Sequence, residues 1–255
     1  MGVFYRTANA VLPELFRLRV KRAVQERIRR PITAAVINLL GEIIVAARTP
    51  ISRMRFRALR TKKDLKVHLG CGADIRPGWI NIDLGLTPWS GVNTSPRHGA
   101  TVIKHDLRRG LPLEADSCDF IYSSHFFEHL EYRYGLKLMR DCYRVLRPGG
   151  IFRAALPNFR GGFDAYLRGD YKYVELINIF EVLPDVEPGT ETLVDHINYG
   201  VYQHGEHKCI YDEEKFMLVL RRIGFNSVST SSYQEGIDPD DPVRQRYSFY
   251  IEAVK

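Results

Sequence analysis

The stretch from Val67 to Leu84, VHLGCGADIRPGWINIDL, constrains the fold more than any other part of the chain. It holds an apolar run, a turn with two glycines and a second apolar run that ends in an acid. Gly70 and Gly72 open backbone conformations that are closed to other residues. Arg76-Pro77-Gly78 reads as a turn, so no full helix fits between the two runs. A strand that feeds such a turn presents backbone N–H groups and a positive dipole end to a ligand. Ala73 stands where a dinucleotide fingerprint has its third glycine, and Asp83 follows Gly70 more closely than the ~20 residues usual for nicotinamide enzymes. A carboxylate at the end of the second strand still suits a ribose diol. The turn therefore reads as a cradle for a ligand that has no pyrophosphate.

From Leu65 onward strands and helices alternate, which predicts a parallel sheet with crossover connections. Strands are expected at 66–69, 79–83, 100–104, 120–123 and 151–155. A helix is expected from about Phe127 to Leu146, stopped by Arg147-Pro148-Gly149-Gly150. A second helix at 212–223 precedes two strands, 227–232 and 247–253, close enough in sequence to pair antiparallel at a sheet edge. Between Pro157 and Tyr211 the alternation fails. An insertion there sits above the carboxyl ends of the strands, where ligands bind. It is expected to cap the acceptor.

Charge separates the chain into two parts. Residues 1–66 carry 16 Lys and Arg against four acids, whereas the whole 255-residue chain is only +7. The remainder is thus mildly acidic. Apolar residues at helical spacing over 8–30, with Arg and Lys between them, predict one amphipathic helix. Pro31 starts a second, which Thr49-Pro50 is expected to break. A basic extension over 1–63 is therefore expected ahead of a domain over 64–255. The extension suits an anionic membrane surface, RNA, or an acidic face of the protein itself. The apolar run from Ile32 to Ala47 is short of the ~20 residues that cross a bilayer and carries Asn38 and Glu42. No secretory signal is legible, because Arg6 and Glu14 interrupt the apolar start. The expected location is the cytoplasm, peripheral on the membrane. Cys71, Cys118, Cys142 and Cys209 form no C-x-x-C and no zinc spacing with histidine, so free thiols and no metal are expected.

The ordered set HLGCG, GWINIDL, His105-Asp106-Leu107, FEHL and VLRPGG resembles the class I S-adenosylmethionine-dependent methyltransferases over about Leu65 to Lys255. The resemblance implies an α/β, Rossmann-like, doubly wound seven-stranded sheet, mostly parallel with an antiparallel edge strand, beside the N-terminal helices. It implies S-adenosyl-L-methionine as cofactor. Gly70 and Gly72 would approach its methionine part, Asp83 its ribose and Asp106 its adenine, with Cys71, Leu107 and Ser124 lining the same site. His68 stands where many members carry an acid that helps hold the cofactor's amino end, and it cannot supply that charge.

Methyl transfer to a hydroxyl needs alignment, exclusion of water and a base for the proton. His125 follows the fourth strand directly and is the expected base. His207 is the second expected catalytic residue, and with His204 and more weakly His196 it is expected to fold over the acceptor. Glu128 and His129 are expected to line the pocket or to be structural. Ser-Ser-His-Phe stands in place of the Asp/Asn-Pro-Pro-Tyr/Phe of enzymes that methylate exocyclic or amide nitrogens, and no Pro-Cys nucleophile for carbon methylation is present, so an O-acceptor is expected; it is a small molecule or, as the resemblance implies, a glycan. The alternatives are an RNA methyltransferase that uses the basic arm, and a non-catalytic protein of the same fold that serves as a membrane or partner module. If residues 1–63 meet a membrane, the protein floats with anionic vesicles and not with neutral ones. Equal failure to float with both retires that reading.

Overall fold

The computed structural model describes residues 31–85, 100–174 and 192–255. The helix expected over 8–30 and the middle of the 157–211 insertion lie outside the described residues. The chain divides into two compact units, Met1–Arg48 and Thr49–Lys255.

Helix α1 spans Pro31–Arg57 and passes through Pro50 without a break. The expected stop at Thr49-Pro50 is thus not found. A proline inside a helix removes one backbone hydrogen bond. Ser52 Oγ donates to the Thr49 carbonyl at 2.9 Å and ties the chain across the proline. Among the described residues no helix is long and apolar enough to cross a membrane.

Strands β1 (Leu65–Leu69), β2 (Ile80–Asp83), β3 (Thr101–Lys104), β4 (Cys118–Ser124), β5 (Leu146–Pro157), β6 (Ser227–Ser231) and β7 (Ser248–Val254) form one sheet in the order β3-β2-β1-β4-β5-β7-β6. The first five are parallel, and β7 runs antiparallel between β5 and β6. The expected Rossmann-like, mostly parallel sheet of seven strands is the one observed. Strand order reverses between β1 and β4. At that point the chain leaves a crevice beyond the strand ends.

Side chains alternate across a strand, so the register assigns each residue to a face. Val67, Leu69, Ile82, Ile103, Ile121 and Phe152 share one face and form the core with helices α2 (Tyr132–Val145) and α5 (Glu213–Ile223). Leu138, Met139 and Cys142 from α2 and Phe216 and Leu220 from α5 complete it. His68, Asn81, Tyr122, Arg153 and Glu252 share the other face, which is polar.

On that face Arg153 is wholly buried. Its Nε donates to Asp238 Oδ1 at 3.1 Å, Nη1 to Glu252 Oε1 at 2.7 Å and Ser231 Oγ at 2.9 Å, and Nη2 to the Ser232 carbonyl at 2.7 Å and to Asp238 Oδ2. Five N–H groups thus meet five acceptors, the full capacity of a guanidinium. Tyr122 Oη and the Gln234 amide also donate to Asp238. The network fixes the segment after β6, and Asp241 then caps helix α6 (Pro242–Tyr247) by accepting from the Val243 and Arg244 amides.

The expected helix from Phe127 opens instead as a 3-10 turn at Phe127–His129, and α2 begins at Tyr132. It ends at Val145, and the expected stop sequence Arg147–Gly150 already belongs to β5, where Gly149 takes φ +78°. The described parts of the 157–211 stretch are not patternless. Helix α3 (Phe159–Arg168) is capped by Asn158 and closed by Gly169, and helix α4 (Leu193–Tyr202) starts in a Thr192/Asp195 capping box. Because removing one partner of a buried ion pair strands the other, Asp238→Ala is expected to lower unfolding free energy by about 3–5 kcal/mol in urea titration. Ser231→Ala, which removes one neutral acceptor, is expected to cost about 1–3 kcal/mol.

Candidate functional site

The crevice is built from the ends of β1, β2 and β4. Gly70 and Gly72 take φ +62° and +51°, the left-handed region that glycine enters without strain. A Cβ on Gly70 would lie 2.3 Å from the Phe126 ring, so this close approach admits no side chain. The turn is held to β2 by the Cys71 amide, which donates to the Ile82 carbonyl at 3.1 Å. Asp83 then locks it. Its carboxylate accepts from the Gly72 amide at 3.0 Å and from the Gly85 amide at 2.8 Å. A carboxylate has about four lone-pair sites, so two remain for a ligand's hydroxyls.

The other residues expected at the cofactor sit around this core. Cys71 is buried, and burial, with Asp83 and Asp74 nearby, pushes its thiol up to about 12. It is an inert packing group. His68 is 2% exposed and lies against the Tyr122 ring, with no hydrogen bond at Nδ1. Burial first, then the Arg76 guanidinium, lowers its pKa to about 3, so the imidazole is neutral. Arg76 stacks over Tyr122 at 4.1 Å. Asp106 caps a 3-10 turn at Leu107–Arg109, and both its oxygens accept from Arg108. Burial works against its charge, but Arg108 and Arg109 hold the carboxyl below its usual range. Leu107 is part of the apolar core. Ser124, buried at the end of β4, accepts from Arg244 Nη1 at 3.0 Å.

Beyond β4 the chain turns sharply. His125 takes φ +48°, a strained conformation for a non-glycine residue. Its amide donates to the Ala155 carbonyl at 2.9 Å, which extends the β4–β5 ladder by one step. Its Nε2 lies 2.7 Å from Ser248 Oγ at the start of β7, and its Nδ1 faces Glu128 Oε1 at 3.8 Å. Burial, then Arg244, His129 and His207, lowers its pKa to about 3. In this arrangement it is neutral and a weak base. Glu128 is wholly buried with no hydrogen bond on either oxygen, and burial raises its pKa to about 8. His129 and His207 meet edge to face at 4.9 Å. Burial lowers both, His207 to about 4, with His129 adding to the effect there.

The expected catalytic pair, His125 and His207, is thus brought to one place together with Glu128 and His129. The His204 side chain lies outside the described residues. Sequence reasoning passed over Phe126, Ser248 and Arg244. The Asp241-Pro242 helix start was a signal for the last of these. A cleft of about 660 Å³ lies elsewhere, between residues 74–79 and 233–245, and none of the expected site residues lines it.

Residues 67–154 match the family described as "Methyltransferase domain". A protein of Mycolicibacterium smegmatis named "Probable S-adenosylmethionine-dependent methyltransferase" is 31% identical over 97 residues, which is 35% of this chain and 36% of that protein. The chain thus spans about a third of the length of the curated relative it matches. A solved S-adenosylmethionine-dependent methyltransferase of Archaeoglobus fulgidus is 15% identical over 84% of this chain and 94% of its own, with a TM-score of 0.45. Phosphoethanolamine N-methyltransferase 2 of Haemonchus contortus, solved with S-adenosyl-L-methionine, is 13% identical over 79% of this chain and 50% of its own, with a TM-score of 0.46.

The residues present fit the cofactor S-adenosylmethionine. The Gly70 cradle has no space for a Cβ, and Asp83 stands fixed with acceptor capacity to spare. The Gly70→Ala change is therefore expected to abolish cofactor binding in calorimetry. Adding Phe126→Ala to it should restore part of the binding, because the ring that the new methyl meets is gone.

Proposed function

We propose that the protein is a class I S-adenosylmethionine-dependent methyltransferase that transfers the cofactor's methyl group to a hydroxyl oxygen of a small molecule or a glycan, a reading supported by the methyltransferase-domain match over residues 67–154. The observation that supports an acceptor site beside the cradle is the position of Phe126. Its ring closes Gly70, while its chain neighbour His125 opens the cluster of Glu128, His129 and His207. The cofactor turn after β1 and the polar cluster after β4 thus lie at the ends of neighbouring parallel strands, joined by the adjacent residues His125 and Phe126.

The cofactor supplies an activated methyl on sulfur, and the chain supplies alignment and proton handling. Gly70 and Gly72 would present the turn's backbone to the cofactor, and Asp83 would accept from its ribose hydroxyls. His125 takes the acceptor's proton at Nδ1, the nitrogen that faces Glu128, while Ser248 holds Nε2. Burial excludes water, which would compete for the methyl group. Burial also keeps His125 weakly basic, so proton transfer depends on a partner that favours the imidazolium or makes the hydroxyl more acidic. Glu128 is the nearest group able to do either.

We place the protein in the cytoplasm, peripheral on an anionic membrane through residues 1–63. The supporting observation is the concentration of 16 basic residues in the first 66. The motif resemblance supports the glycan half of the acceptor class.

Turnover is tested by release of S-adenosylhomocysteine with a panel of hydroxyl acceptors, and the product by its mass. His125→Ala is expected to lower kcat by about 10²–10⁴ and to leave the dissociation constant for S-adenosylmethionine unchanged. Loss of cofactor affinity with kcat intact would overturn its assignment as base. Absence of S-adenosylmethionine binding by folded protein would remove the enzymatic reading altogether.

A further inference from the structure

Glu128 is the one wholly buried acid among the described residues whose two carboxylate oxygens both lack a hydrogen-bond partner. A buried polar group left this way costs about 1–3 kcal/mol or more. Nearby imidazoles do not relieve it. His125 Nδ1 and His129 Nε2 stand 3.8 and 3.9 Å from Glu128 Oε1, beyond hydrogen-bond range. That spacing leaves a gap between the groups which a small cation can fill.

We propose that Glu128, His129 and His207 bind a divalent first-row transition-metal ion, of the zinc, manganese or iron(II) class. Their ligand atoms all lie within 4.8 Å of one another. Metal–ligand bonds of about 2.0–2.2 Å bring such atoms roughly 3–3.5 Å apart, so closure by about an ångström completes the site. Two imidazoles and one carboxylate suit these metals, whereas calcium and magnesium favour oxygen alone. Three protein ligands also leave positions open, the pattern of catalytic metal sites and not of structural ones.

The surroundings prepare the ligands. His207 Nδ1 lies 2.6 Å from the Gly200 carbonyl, so it donates there and leaves the Nε2 lone pair free for the ion. Metal-bound histidines are commonly oriented by such a second hydrogen bond. The His129 ring packs edge to face on His207 at 4.9 Å, which sets the two imidazoles side by side. The Glu128 carbonyl accepts from the Lys208 amide at 2.7 Å and from the Cys209 amide at 3.1 Å. One residue thus supplies the carboxylate and also pins the segment that carries His207. His125 stands at the rim, facing the same Glu128 oxygen.

At an open position the ion would hold the acceptor hydroxyl and lower its pKa. The proton would leave to His125, the oxygen would bond to the methyl carbon, and the S–CH₃ pair would stay on sulfur. This role rests on the methyl-transfer reading, while binding of the ion does not.

The test uses full-length protein stripped with a chelator and titrated with Co²⁺, followed by visible d–d absorption and by the shift in Tm, with Zn²⁺ as competitor. One ion per chain, nitrogen–oxygen type bands and a rise in Tm are expected. Glu128→Gln and His207→Ala should each weaken Co²⁺ binding by roughly 100-fold. The glutamine variant keeps the shape without the charge and should fold. His207 is half-buried on a loop, so its alanine variant gives a second reading. Lack of saturable Co²⁺ uptake by the unsubstituted protein overturns the proposal, as does unchanged affinity in both variants. Calorimetry with S-adenosylmethionine on the same samples separates the two claims. Cofactor binding without metal uptake overturns the metal site alone, and metal uptake without cofactor binding supports it while overturning the methyl-transfer reading.

Discussion

The guanidinium of Arg153 lies in the middle of the sheet with no exposure to water, and much of the site's geometry follows from what it must contact. A buried charge is tolerated only when it is fully paired. Satisfying it takes Asp238, Glu252, Ser231 and the Ser232 carbonyl, which come from two other strands and the loop after β6. That loop cannot move without stranding the charge. It leads directly into Asp241 and α6, and α6 places Arg244 against Ser124 at the end of β4. A stability device in one face of the sheet therefore also sets the charge at the mouth of the crevice.

A second constraint acts from the opposite side of the crevice. Gly70 and Phe126 come from β1 and from the turn after β4, and their contact leaves no volume for a side chain. Asp83 adds a lock from β2 through two backbone amides. Three strand ends are thereby fixed to one another with little participation of a helix. This explains how the stretch Asp74–Trp79 can be a short turn where a longer crossover helix would otherwise be needed. The preorganisation lies in backbone hydrogen bonds and one aromatic contact.

The parts of this arrangement that were legible in the sequence are those with local signals. The glycine turn, the acid ending β2, the strand–helix rhythm and the helix stop before Pro148 each follow from residues close in sequence. Three features were not. Pro50 sits inside α1, which continues through it to Arg57 against the usual breaking tendency of proline. Arg153 and Asp238 meet across 85 positions, and an arginine amid apolar strand residues was the only trace. The cluster of Glu128, His129 and His207 has no spacing motif, because tertiary structure alone brings the His207 loop onto the 3-10 turn. For the same reason no metal site was expected. Residue types pointed to the right histidines, but their environment, deeply buried and weakly basic, depends on packing that composition does not record.

His125 shows how local strain and function coincide. With φ +48° it ends β4 in a conformation that costs of order 1–3 kcal/mol for a non-glycine residue. The ladder continues through its amide to Ala155, so the strain is not the result of a frayed strand end. The reversal sends successive side chains in different directions: Phe126 toward Gly70, and His125 toward Ser248 and Glu128. An extended residue here would carry the chain past both. The strained turn is thus what allows one short segment, residues 124–129, to close the glycine cradle on one side and build the buried imidazole–carboxylate cluster on the other.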